Sequence, residues 1–222
     1  MLSLLAALLF TPLIAAGTFA AHVHASKDIQ SPPSPELSAT PTPSLDISRE
    51  SLPDGVAPVP FYSQFTDISR PEWRKVGCGI ASLSMIVDFY TDTDVSVDAL
   101  LQEGIAQDAY LDDAGWIHAG LIGLAGDYGL TGTTNDLRTQ TNEAALATLS
   151  EELKEGPVMA SVHYRFDPES TIPHLVVVNG ITDTTVYVND PAANGGQEVL
   201  TIAEFMRGWK KRYIEIRPTT KV

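Results

Sequence analysis

The sequence predicts an α+β domain with its helices gathered in the first half and its strands in the second. Three observations carry this expectation. Apolar residues recur at helical spacing between residues 79 and 154, and after Pro157 they give way to short runs rich in β-branched and aromatic residues. Asp183 and Thr184 then form a tight turn between two of those runs, which makes them antiparallel neighbours.

Ahead of the domain, Leu2 to Ala21 is almost wholly apolar, and Val23, His24 and Ala25 before Ser26 resemble a signal-peptidase site. Residues 1–25 are therefore expected to be a signal peptide, or else an uncleaved membrane anchor, since about 20 apolar residues suffice to span a bilayer. Either way the protein is expected to be exported, secreted or held outside the cytoplasm. His22 and His24 belong to this leader and read as targeting sequence rather than metal ligands. Nearly half of the residues from Ser26 to Ala57 are Ser, Thr or Pro, and no apolar periodicity runs through them, so residues 26–57 are expected to be a disordered linker.

Val59 to Tyr62 reads as an extended lead-in. Ile80, Leu83, Ile86, Val87 and Tyr90 then share one helical face, and the helix they define should begin at Cys78. Helices are also expected over Val97–Ile105, Ala114–Tyr128 and Asn142–Lys154, the last opened by a Thr141/Asn142 cap and closed by Gly156 and Pro157. Strands are expected over Val158–Tyr164, Leu175–Ile181, Thr185–Asn189 and Tyr213–Ile216. The folded domain is thus assigned to residues 58–217, with 218–222 as a tail.

Composition bounds the function. The chain has 222 residues, 44% of them hydrophobic and 19% charged, enough apolar content for a core that can support a cleft. Fourteen Lys and Arg against 28 Asp and Glu give a net charge of −14, which would repel phosphate backbones and argues against a nucleic-acid partner. The cluster Arg207, Lys210, Lys211 and Arg212 reads as a solvated face without an assigned function.

Cys78 is the sole cysteine, so it cannot form an internal disulfide. It lies between Gly77 and Gly79 at an expected helix start, where free N–H groups and the helix dipole favour negative charge on sulfur, and the glycines would let a substrate carbonyl come close. A nucleophile of this kind needs a base. Beyond the leader the histidines are His118, His163 and His174. His118 and His163 read as packing or surface residues. His174 opens the run Leu175 to Val178, where a strand end gives an imidazole rigid support. Sixteen residues later, a hairpin partner ends in Asn189, Asp190 and Pro191, so the Asp190 carboxylate should return beside His174 and orient it, while also forming an Asx-turn before the proline. Upstream, the Gln64 amide could join the Cys78 backbone N–H as an oxyanion donor. Trp116, Tyr164 and Phe166 could line a subsite, although packing is the simpler reading.

Taken together, Val59 to Gln64, then Gly77, Cys78 and Gly79, Ser82 and Met85, His174 before a valine run closing at Gly180, and Asn189, Asp190 and Pro191 resemble cysteine peptidase family 39. This family comprises the papain-like, bacteriocin-processing peptidases. The resemblance spans about residues 58–217 and implies a papain-like fold and peptide hydrolysis through a thioester. By resemblance, Cys78 is the nucleophile, His174 the base, Asp190 the orienting acid and Gln64 the oxyanion donor, acting on a peptide or protein substrate without cofactor or metal. Ile80 stands where the family often has proline. The absence of transporter segments after the domain implies a stand-alone exported member and leaves leader processing open. Three alternatives stand beside hydrolysis: acyl transfer or amidase chemistry by the same triad, a non-catalytic module binding peptide or wall polymer, and a zinc site built from Cys78, His174, Asp190 and His163.

Overall fold

The computed structural model describes residues 52–219 apart from 94, 113 and 114. The expected leader and most of the expected linker lie outside the described residues. Val56 and Ala57, expected as linker, are already docked: the Ala57 N–H donates to the Asn179 carbonyl at 2.9 Å, and Val56 is buried, while residues 52–55 are exposed.

Helix α1 spans Cys78–Tyr90, and each residue from Cys78 to Val87 is buried, as befits a helix apolar on nearly all sides. Against it pack α2, Val97–Ala106, capped by Ser96, and α3, His118–Gly126. Between these two helices, β1 (Tyr110–Leu111) and β2 (Gly115–Trp116) pair antiparallel. This corrects the expected helix over Ala114–Tyr128. Gly115 takes a left-handed φ of 78° and Trp116 enters the core, so the helix cannot start before His118.

Strand β3, Leu130–Asp136, has no counterpart among the expected elements; apart from one buried leucine it is made of three threonines, a glycine, Asn135 and Asp136. The helix α4 covers Asn142–Glu152 with Thr141 accepting from the Ala144 N–H, in line with the expected cap. Strands β4 (Val158–His163), β5 (Pro173–Ile181) and β6 (Thr185–Asn189) follow, then β7 (Glu198–Thr201), α5 (Ile202–Gly208) and β8 (Trp209–Pro218). Strand β7 and helix α5 also had no counterpart in the sequence reading.

The strands form an antiparallel sheet in the order β3-β8-β4-β5-β6-β7. Alternation sends Met159, Leu175, Val177, Ile214 and Ile216 toward α1, α2 and α3, while Val158, Ala160, Val176, Val178 and Tyr213 meet Leu149 of α4 and Phe205 of α5. Helices thus cover both faces, which explains why the central run Leu175–Val178 is continuously apolar. The architecture is the expected α+β fold of helical half and antiparallel sheet.

Candidate active site

Cys78 is the first residue of α1 and Gly77 its cap, so the Cys78 N–H has no partner within the helix. The flanking glycines do a different job from the one expected of them. A Cβ on Gly79 would sit 2.6 Å from Trp116 Cγ, and one on Gly77 would collide with the Ile68 side chain and lie 3.5 Å from Gln64 Cβ. They admit Trp116 and the Gln64 segment to the helix start rather than clearing a path for substrate. Trp116 is anchored there by its indole N–H, which donates to the Val76 carbonyl at 2.7 Å.

His174 stands near the start of β5 and is 4% exposed. Its Nε2–H donates to Asp190 Oδ1 at 2.6 Å, leaving Nδ1 as the ring nitrogen available to Cys78, whose sulfur is close enough to act on the ring electrostatically. Burial works against charging the ring. The bond to the Asp190 carboxylate, with the Cys78 sulfur beside the ring, outweighs it and raises His174 from 6.5 to about 10. The imidazolium is therefore the favoured form at neutral pH. Tyr164 closes one side of the ring edge-to-face, with centroids 5.3 Å apart, so it meets the imidazole directly, whereas Phe166 packs with Phe205 in the core.

Asp190 follows the last residue of β6. Its Oδ1 also accepts the Ala192 N–H at 2.8 Å, so the Asx-turn and the contact to His174 coexist. Asn189 fixes the neighbourhood: its amide donates to the Val59 and Pro60 carbonyls at 3.1 Å each, and its Oδ1 accepts from Asn179 at 3.0 Å. The lead-in segment is thereby held against the acid strand. The Gln64 N–H donates to the Pro191 carbonyl at 2.9 Å, and the Gln64 amide Nε2 donates to the Arg74 carbonyl at 2.7 Å. That bond orients the amide and leaves one Nε2 hydrogen for another acceptor; the buried Oε1 has no partner among the described residues.

Cys78 and His174 line a cleft of about 210 Å³. Trp116, Tyr110 and Ile172 supply apolar surface, and His118 and Ser161 meet at 3.3 Å on its wall. Burial and the neighbouring Arg212 charge lower the His118 pKa, which favours the neutral ring. His163 takes no part in the cleft lining; its Nδ1 bonds the Ser170 carbonyl at 2.9 Å. Among the described residues, no group of three His, Cys, Asp or Glu side chains is gathered to hold a metal ion, so the zinc alternative has no site there.

The sequence reading missed His118 and misjudged the basic cluster. Lys210 and Arg212 line the cleft, whereas Lys211 donates to the Gln140 carbonyl and Arg207 is exposed. The cause is a bulge: Ser161 pairs with Arg212 but the next residue, Val162, pairs with Trp209, and Lys211 takes a φ of 51°. Such bulges redirect side chains beside active sites.

No curated protein matches the chain. Among solved structures, a double glycine motif protease from an AMS/PCAT transporter, in complex with the leader peptide, superposes with a TM-score of 0.53 at 24% identity, covering 75% of this chain and 96% of the other. A chain described as a C39-like peptidase from Bacillus anthracis gives 0.54 at 19% identity, covering 74% and 97%. These likenesses establish the papain-like peptidase fold. Residues 56–220 match the family model described as Peptidase_C39 like, and the chain belongs to that family.

Proposed function

We propose that the protein is a cysteine peptidase that hydrolyses peptide bonds at Cys78. The observation that carries this reading is the bond of 2.6 Å from His174 Nε2 to Asp190, on a ring that lines the same cleft as Cys78. The Cys78 thiolate attacks the scissile carbonyl carbon, a C–S bond forms, and the oxygen gains the charge. The Cys78 N–H and the free hydrogen of Gln64 Nε2 are the candidate donors to that oxyanion. As the C–N bond breaks, the imidazolium of His174 hands its proton to the leaving amine. The neutral ring then takes a proton from water, whose oxygen attacks the thioester and releases the acid and the thiolate. Asp190 keeps the ring in the tautomer this cycle requires.

A peptide substrate is further supported by the neighbouring protease bound to a leader peptide. The apolar run and the Ser/Thr/Pro-rich segment before the domain support export. The test is a pair of substitutions: Cys78→Ala and His174→Ala should abolish peptide hydrolysis while circular dichroism and thermal unfolding stay near those of the parent. Retained hydrolysis in Cys78→Ala would overturn the reading, and loss of folding in His174→Ala would reassign that histidine to a structural role.

A further inference from the structure

The protein is strongly acidic, with two carboxylates for each Lys or Arg, yet its cleft is lined by Lys75, Lys210 and Arg212 against the single carboxylate of Asp112. None of these three cations forms an ion pair among the described residues, although Arg70, Arg138, Lys154 and Arg217 all do. Arg212 is the most telling. Its Nε is buried and has no hydrogen-bond partner among the described residues. The carboxylate across the strand from it, Asp136, is hydrogen-bonded by Arg138, with contacts of 2.6 and 2.9 Å, and feels the Arg212 charge without pairing with it.

A guanidinium N–H buried without a partner is costly, and a second cation beside the group increases the cost. Burial lowers the Lys210 pKa and the adjacent Arg212 charge lowers it further, so the two positive groups press on one another. The bulge at Lys210 and Lys211 lets both Lys210 and Arg212 reach the cleft. A guanidinium with free N–H groups and a neighbouring ammonium match a carboxylate, which would accept charge-assisted bonds from both.

We infer that Lys210 and Arg212 form a subsite for a carboxylate, so that the substrate peptide carries an acidic side chain or its own C-terminal carboxylate next to the bond that Cys78 cuts. The inference rests on the peptidase reading for the word substrate, but not for the anion site itself. His118 and Ser161 are neutral hydrogen-bonding neighbours at the same wall, and Lys75 adds to the positive potential of the cleft.

The site can be read without a known substrate, because Cys78 is the only cysteine and lies in the same cleft. The full chain is alkylated with iodoacetate and, separately, with iodoacetamide, and the ratio of the two rates is compared with that of a free model thiol. Attraction of the anionic reagent should raise this ratio by about tenfold at low ionic strength, with the gain shrinking as salt is added. Arg212→Gln and, independently, Lys210→Gln should bring it toward the free-thiol value. Lys211→Gln, which removes the same charge from the same strand outside the cleft, should leave it raised. A wild-type ratio equal to that of the free thiol, or one that all three variants reduce alike, overturns the subsite. The iodoacetamide rate alone reports on the activated thiolate: if it is no faster than the free thiol at pH 6, the peptidase reading fails while the ratio still decides the anion site. A second arm uses matched peptides with Glu or Gln at each position, as free acids and as amides. Preference for Glu identifies a side-chain carboxylate, preference for the free acid a terminal one, and indifference to both overturns the substrate claim.

Discussion

Ser82 Oγ donates to the Leu175 carbonyl at 3.2 Å, across 93 positions of sequence and with both groups buried. Ser82 lies one helical turn beyond Cys78, and Leu175 directly follows His174. The bond therefore clamps the nucleophile helix to the histidine strand beside the two reacting atoms. Ser82 is not among the residues lining the cleft, so it is a positioning residue. Ser82→Ala should cost roughly 1 kcal/mol of stability, the usual net worth of such a bond. It should also reduce turnover by about tenfold with little change in KM, because a small misplacement of reacting groups is expensive. A loss of stability with turnover and the pH profile of Cys78 alkylation unchanged would leave Ser82 a structural role only.

His174 makes stability depend on pH with a definite sign. Its pKa is 6.5 by default and about 10 in the fold, so between these values the native state holds a proton that the unfolded chain releases. The stabilisation is complete below pH 6.5 and is lost as pH rises through 10. Urea unfolding at intervals across this window should show declining stability in the parent and a flatter profile in His174→Gln, which cannot titrate. Asp190→Asn removes the carboxylate that supports the imidazolium, so the alkaline limb of hydrolysis should move to lower pH. Coincident limbs for parent and Asp190→Asn would show that Asp190 does not set the proton affinity of His174.

Gln64 combines a buried amide with one donor hydrogen fixed on Arg74 and one uncommitted. Gln64→Ala should lower kcat by about a hundredfold to a thousandfold, the range for removing one oxyanion donor, with KM nearly unchanged. Gln64→Glu should be no better, because its carboxylate would face the Arg74 carbonyl without a hydrogen to give. A steady-state comparison of the three proteins suffices, and an unimpaired kcat in Gln64→Ala would remove Gln64 from the reaction.

What the sequence made legible was local. The start of α1 at Cys78 followed from helical spacing, and the approach of Asp190 to His174 followed from counting along one hairpin. Both contacts lie within or beside single elements. The cleft wall was hidden because it is built by β8, which crosses from the chain terminus to lie between β3 and β4. Nothing in the run of four basic residues reveals a bulge that turns Lys210 and Arg212 inward while leaving Lys211 outside. Strand β3 escaped for another reason. At the sheet edge it buries only Leu130 and presents threonines, Gly132, Asn135 and Asp136 elsewhere, so alternation of hydrophobicity was too weak to mark it. His118 was hidden by a boundary: placed inside a longer helix it looked like a surface residue, whereas as the first residue of α3 it enters the cleft.

Gly79, beside Cys78, and Gly123 in α3 separate packing from helix propensity. Replacing glycine by alanine inside a helix ordinarily gains up to about 1 kcal/mol. At Gly123, in α3, a Cβ meets nothing within 4 Å, so Gly123→Ala should stabilise the protein by roughly that amount. At Gly79 the added methyl would press on Trp116 at 2.6 to 2.8 Å, and the indole cannot easily withdraw because its N–H is tied to Val76. Overpacking of this kind costs about 1–3 kcal/mol, which exceeds the propensity gain, so Gly79→Ala should be destabilised. Because Trp116 also lines the cleft, the same variant should slow alkylation of Cys78 or change its preference between anionic and neutral reagents. Equal stabilisation by both substitutions in urea unfolding would mean that Trp116 yields freely, and that Gly79 is not what holds the cleft wall against the nucleophile helix.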